Sequence, residues 1–159
     1  MINAYMTIDG VEGPSTSKAK AIDILTFEFG AEQTATYQAG SSGNEAKAGR
    51  ANVKNLRFKK VLDKTSPLLF DHCVTGDILK EVTLAYDKPV KDAQQDYFQI
   101  VMTDALITSV ALSGESDTPT ETISMAFQKI KVCYAPEKDD GSLDGMVCKG
   151  FDMTTLKPF

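Results

Sequence analysis

Over most of the chain, hydrophobic and polar residues alternate with a period of two, the pattern of strands that bury one face. In residues 4–9, Met6 and Ile8 alternate with Tyr5 and Thr7, and Asp9-Gly10 and Gly13-Pro14 end the run. Residues 21–30 place Ile22 and Ile24 in one phase and Leu25, Phe27 and Phe29 in the other, a slip that predicts a bulge. Strand character returns over residues 51–61, with Leu56 and Phe58 in phase, and over residues 81–86, with Val82, Leu84 and Tyr86. Two long runs follow, 96–112 and 121–134, separated by a polar segment that contains Gly114 and Pro119. In the second run the phase passes from Ile123, Met125 and Phe127 to Ile130, Val132 and Tyr134, so a bulge is expected near Gln128. A last strand over residues 146–153 would pair back across the acidic turn at Gly141. Long bulged strands curl, and the pattern as a whole predicts a mainly β barrel.

Two segments depart from this pattern. Ser66 as N-cap, Pro67 at the first helical position, Asp71 near the N-terminal end and Gly76 as a left-handed stop predict one helix, with Leu69 and Cys73 on its buried stripe. Over residues 33–50 the pattern collapses into small and polar residues, including Gln38, Gly40, Ser41, Ser42, Gly43 and Asn44. A loop of that length inside a small domain is usually functional, either a contact arm or a mobile flap, of which the contact arm is expected here.

Composition narrows the class. The 159 residues suit one domain over 1–159, and 42% hydrophobic with 25% charged residues is ordinary for a globular chain. A net charge of -5 with scattered Lys and Arg argues against a nucleic-acid partner. No apolar run reaches the length of a membrane span, and the opening Met-Ile-Asn-Ala-Tyr has neither a basic nor an apolar leader region. Synthesis in the cytoplasm without a cleaved signal peptide and without membrane insertion is therefore expected. Cys73, Cys133 and Cys148 are expected as free thiols, but Cys133 falls opposite Cys148 if Tyr134 and Val147 face each other across the Asp139-Asp140-Gly141 turn.

A search for chemistry yields no catalytic, metal or cofactor residues. His72 precedes Cys73 directly, and side chains one position apart on a helix diverge, which makes a poor nucleophile–base pair. The acid pairs Asp139-Asp140 and Asp92-Asp96 lie in polar, turn-like stretches where solvated charge explains them. The loop from 139 to 144 lacks the spacing and terminal Glu of a calcium loop, and no phosphate-binding or nucleophile-elbow motif occurs. Such a chain is expected to bind or to build rather than to catalyse.

Several segments, taken in order, carry a family resemblance: Ala4 to Gly13, Ile22-Asp23-Ile24-Leu25, Asp63-Lys64-Thr65-Ser66-Pro67-Leu68-Leu69 leading to Cys73 and Gly76, Lys80-Glu81-Val82-Thr83-Leu84, Thr120 to Ile130, and Gly150-Phe151-Asp152. Together they resemble the haemolysin-coregulated family of type VI secretion. The resemblance implies two packed antiparallel sheets forming a squat β-barrel with one flanking α-helix, and six copies closing into a ring. Stacked rings would form the inner tube, surrounded by a contractile sheath and capped by a spike protein, with small effector proteins carried in the pore. It implies no enzyme activity and no cofactor, and export to the extracellular space by the type VI machinery.

Residue by residue, the resemblance makes Glu28, between Phe27 and Phe29, the pore-facing candidate. The family usually has a small polar residue between tryptophans there, so an acidic ring favouring basic cargo is expected. It also makes Tyr37, Gln38, Ser41, Ser42, Asn44, Lys47 and Arg50 the ring-stacking candidates, on the extended loop. Three alternatives stand beside this reading: a contractile-phage tail-tube-like protein, a monomeric ligand-binding β-barrel, and an enzyme using Cys73.

Overall fold

A computed structural model describes residues 3–36, 47–115 and 117–159. Eleven strands and one helix follow in order among these residues: β1 Ala4–Ile8, β2 Ile22–Asp23, β3 Thr26–Glu28, β4 Ala31–Thr36, β5 Lys47–Val53, β6 Leu56–Val61, α1 Ser66–Thr75, β7 Leu79–Val90, β8 Ala93–Ser113, β9 Thr120–Tyr134, β10 Val147–Asp152 and β11 Lys157–Pro158. All pairings are antiparallel, and β4 with β5 forms a separate two-stranded sheet.

The phase slip expected as a bulge in residues 21–30 is a change of partner. Up to Ile24 this segment belongs to β1: Met6 lies opposite Ile22, and the Ile24 N–H donates to the Ala4 carbonyl at 3.1 Å. From Leu25 it belongs to β6: the Leu25 N–H donates to the Lys59 carbonyl at 2.8 Å, and Phe27 lies opposite Phe58. Because β1 also pairs with β7, β7 with β8, β8 with β9 and β9 with β6, the strands curl round until the covalent chain from Ile24 to Leu25 links the first to the last, in keeping with the barrel the pattern predicts. Leu25, at the changeover, is 42% exposed rather than in phase with the half-buried Phe27 and Phe29.

One apolar core fills the interior, drawing Met6, Leu84 and Met102 from one side and Leu56, Phe58 and Met125 from the other. Each such side chain, fully buried, contributes about 1.5–3 kcal/mol of transfer free energy. The phase change expected at Gln128 is present at the buried Ile130, without a shift of register, but it does not continue as expected, since Val132 and Tyr134 are exposed and Cys133 is buried. Thr103 pairs with Lys129 and Ala105 with Phe127, and Asp104, opposite Gln128, is left-handed at φ 51. Both strands exchange inner and outer faces at the same point, and β9 there passes from pairing with β6 to pairing with β10. The register shift in β8 lies further on, between Ile107 and Ser109.

The helix forms where expected, but Thr65 rather than Ser66 is its N-cap, in an α conformation and without a side-chain capping bond. No acidic residue lies in the first turn, so Asp71 does not offset the helix dipole as expected. Gly76 does end the helix, at φ 72, donating its N–H to the His72 carbonyl. Leu69 is fully buried and Cys73 packs against the core.

Part of the expected loop over 33–50 is strand. Gln33 opposes Ala51 and Thr36 opposes Lys47, with a bulge between Gln33 and Ala35. Small residues suit this ribbon because its strands approach closely: a Cβ on Gly49 would stand 2.0 Å from the Thr34 hydroxyl oxygen. The expectation of free thiols fails for two of three cysteines. Register alone brings this about: Tyr134 faces Val147, Cys133 therefore faces Cys148, and the two are disulfide-bonded while Cys73 stays free.

Candidate functional site

Strict alternation along β6 buries Leu56, Phe58 and Lys60 and exposes Arg57, Lys59 and Val61. Phe27 stacks edge-on against Tyr86 at 5.7 Å between ring centroids, and Phe29 against Phe127 at 6.2 Å. These anchors turn the intervening Glu28 outward, as expected, and it is exposed. Its cross-strand neighbour, which the Phe-Glu-Phe triplet does not reveal, is Arg57; Lys59, opposite Thr26, stands on the same outer face one step along β6. An open groove of about 590 Å³ beside Glu28 is lined by Asn52, Lys54, Asn55 and Arg57. A smaller one of about 170 Å³ runs past Thr26, Lys59 and Thr122. The acid thus shares its face with two cations, and the expectation of an acidic surface there does not follow from the geometry.

The second region is the β4–β5 ribbon. All six residues of β4 are exposed. Arg50 is exposed on β5, its backbone N–H donating to the Thr34 hydroxyl at 2.9 Å. Lys47 lies opposite Thr36 in the ladder. Tyr37, Gln38, Ser41, Ser42 and Asn44 lie outside the described residues. Lys54, at the base of the ribbon, pairs with Glu32 at 2.8 Å, and the hydrogen bond and charge of that ammonium hold the Glu32 carboxyl below its usual range.

A third cluster, invisible to the sequence reading, ties these strands to the helix. The inward position on β6 forces the Lys60 ammonium into the barrel wall, where it is fully buried against the equally buried Glu121 carboxylate of β9. Lys60 also reaches Asp63 at 3.0 Å, the Ser66 hydroxyl at 3.2 Å and the Val61 carbonyl at 3.3 Å. Ser66 donates to Glu121 at 2.7 Å and accepts from the Asp63 N–H at 3.0 Å, so the residue expected to cap the helix instead bridges the ion pair. Burial raises the Asp63 carboxyl, but bonds from the Thr65 hydroxyl and amide and the nearby Lys60 outweigh it, leaving its pKa below the usual value. Only the polar residue in the apolar phase of β6 signals this knot in the sequence.

Elsewhere the chemistry is sparse. His72 Nδ1 is buried without a hydrogen-bond partner among the described residues and lies 3.9 Å from Asp77. The Tyr5 hydroxyl donates to Asp96, and burial together with that carboxylate pushes its pKa far upward, which keeps it a donor. Among the described residues no group of acidic, histidine or cysteine side chains could hold a metal, and no helix is long and apolar enough to cross a membrane.

Comparison with known proteins places the geometry in a group. The family described as "Type VI secretion system effector, Hcp" matches residues 5–134. The protein hcp1 of Pseudomonas aeruginosa is 32% identical over 148 residues, covering 91% of this chain and 90% of that one. A solved structure described as a type six secretion system protein superposes with a TM-score of 0.89 at 27% identity over the whole of both chains. Hcp1 from Salmonella typhimurium does so with a TM-score of 0.78 at 26% identity, again over both whole chains.

Proposed function

The chain belongs to the Hcp family of type VI secretion system proteins, and from that premise we propose that it is a non-enzymatic tube subunit. Six copies close into a ring, rings stack into an inner tube, and the pore carries small effector proteins. The observation that carries this reading is the β4–β5 ribbon. It stands off the barrel with β4 wholly exposed, and an isolated two-stranded ribbon is only marginally stable in water. A ribbon of that kind is stabilised by docking, and contact with the next ring supplies the partner. Arg50 on its exposed flank contributes to the stacking contact, as do Lys47 and the intervening Tyr37, Gln38, Ser41, Ser42 and Asn44.

Within the ring, Glu28 faces the pore. A head-to-tail interface that closes by rotation makes the ring, and translation along the same axis makes the tube. The tube works with a contractile sheath and a spike protein, and the chain reaches the extracellular space by that machinery. Native mass spectrometry of the full chain at micromolar concentration tests the assembly: six-membered rings are expected, and a clean monomer throughout would overturn it. Deleting residues 37–46 should leave six-membered rings intact but abolish their stacking in negative-stain images.

A further inference from the structure

We propose that the face formed by Glu28, Arg57 and Lys59 takes acidic polypeptide segments; the inference deepens the tube reading and rests on it for where this face points. The sequence suggests the opposite preference, since Glu28 is the residue that stands out between its two aromatics. Pairing of β3 with β6 changes the balance, because Arg57 comes directly opposite Glu28 and Lys59 follows on the same side. Among the described residues none of these three side chains is engaged in an ion pair or side-chain hydrogen bond, in contrast to nearby Lys54, which Glu32 holds at 2.8 Å. Glu28 can offset one cation, and the other remains available to a partner.

The surroundings suit a polypeptide. Thr26 of β3 and Thr122 and Ser124 of β9 lie in the same two cross-strand rows and offer hydroxyls that donate or accept. The Glu28 carboxylate at the β3 end of its row would repel a continuous phosphate backbone, while an acidic peptide can space its side chains to reach Arg57 and Lys59 and avoid it. A ring repeats the same excess of positive charge in every copy, so a weak preference at one subunit is multiplied by simultaneous contacts.

The test uses the full-length protein and three fluorescein-labelled peptides, polyglutamate, polylysine and a neutral Gly-Ser control, read by fluorescence anisotropy at low and physiological salt. Polyglutamate is expected to bind best and to weaken as salt rises. The Arg57→Glu/Lys59→Glu double variant should weaken it by about tenfold or more, and Glu28→Gln should strengthen it. All three positions are exposed on strand faces, and native mass spectra of the same samples report assembly. Rings that prefer polylysine, or that hold polyglutamate unchanged in the double variant, overturn the inference and leave the tube reading standing. Monomers that bind polyglutamate through Arg57 and Lys59 overturn the tube reading and leave the preference of the face standing.

Discussion

Lys59 and Lys60 are consecutive on β6, yet one lies on the outer face with no ion-pair partner among the described residues and the other is fully buried among Glu121, Asp63 and Ser66. A strand turns successive side chains to opposite faces, so a single step along the chain changes what an ammonium group can do. Outside, solvent screens the charge and it is available for recognition. Inside, the charge must be matched, and it becomes a tie between β6, β9 and the start of α1. Breaking the inner tie should unfold the barrel before it alters recognition, and changing the outer lysine should do the reverse.

The largest effect is expected from removing one partner of the buried pair. Lys60→Met or Glu121→Leu alone should destabilise the fold by about 3–5 kcal/mol in chemical denaturation, whereas the double replacement should recover most of that loss. Single replacements without cost would show that the pair does not anchor the wall.

Next in size is the cross-link at the opposite end of β9. Cys133 is buried and Cys148 exposed, with a sequence separation of 15, and reduction or Cys148→Ser should cost about 3 kcal/mol. Denaturation with and without reductant measures it, and equal midpoints would deny the bond a stabilising role.

Ser66→Ala leaves the ion pair but strips its bridging hydroxyl, for an expected loss of about 1–3 kcal/mol. A smaller, pH-dependent effect comes from Asp63. Its folded pKa lies below the unfolded value, so its contribution is present above the ordinary aspartate range and is lost as pH falls through the folded value. Asp63→Asn should therefore flatten the acid limb of the stability profile while changing little in strongly acid solution; an unchanged profile would disprove the role. Lys59→Gln should leave the denaturation midpoint where it is and register only in peptide binding, and any marked loss of stability would erase the contrast between the two lysines.

Local patterns were legible where local physics decides the outcome. The period-two runs marked β1, β6, β8, β9 and β10, and Pro67 and Gly76 bracketed the helix, because alternation and backbone preference are properties of adjacent residues. The slip between Ile24 and Leu25 was visible too, but its meaning was not, since a bulge and a change of partner leave the same trace in one strand. The arm was legible as a departure from the pattern, yet its strand pairing was not, because Gly, Ser and Ala carry little apolar periodicity. Glu28 could be seen to point away from Phe27 and Phe29; what stands beside it depends on β6, nearly thirty residues on.

By itself, then, the sequence determined most of the strand phases, the site of the helix, the absence of a recognisable catalytic motif and, through the ordered resemblance, the Hcp family. Tertiary structure decided which residues become neighbours: Arg57 opposite Glu28 in the ladder, Lys60 against Glu121, Cys133 bonded to Cys148. The physical reason is that alternation is written in neighbouring residues, whereas register between distant strands is set by the packing of a whole core, and a slip of one residue would send every one of these partners to the other face.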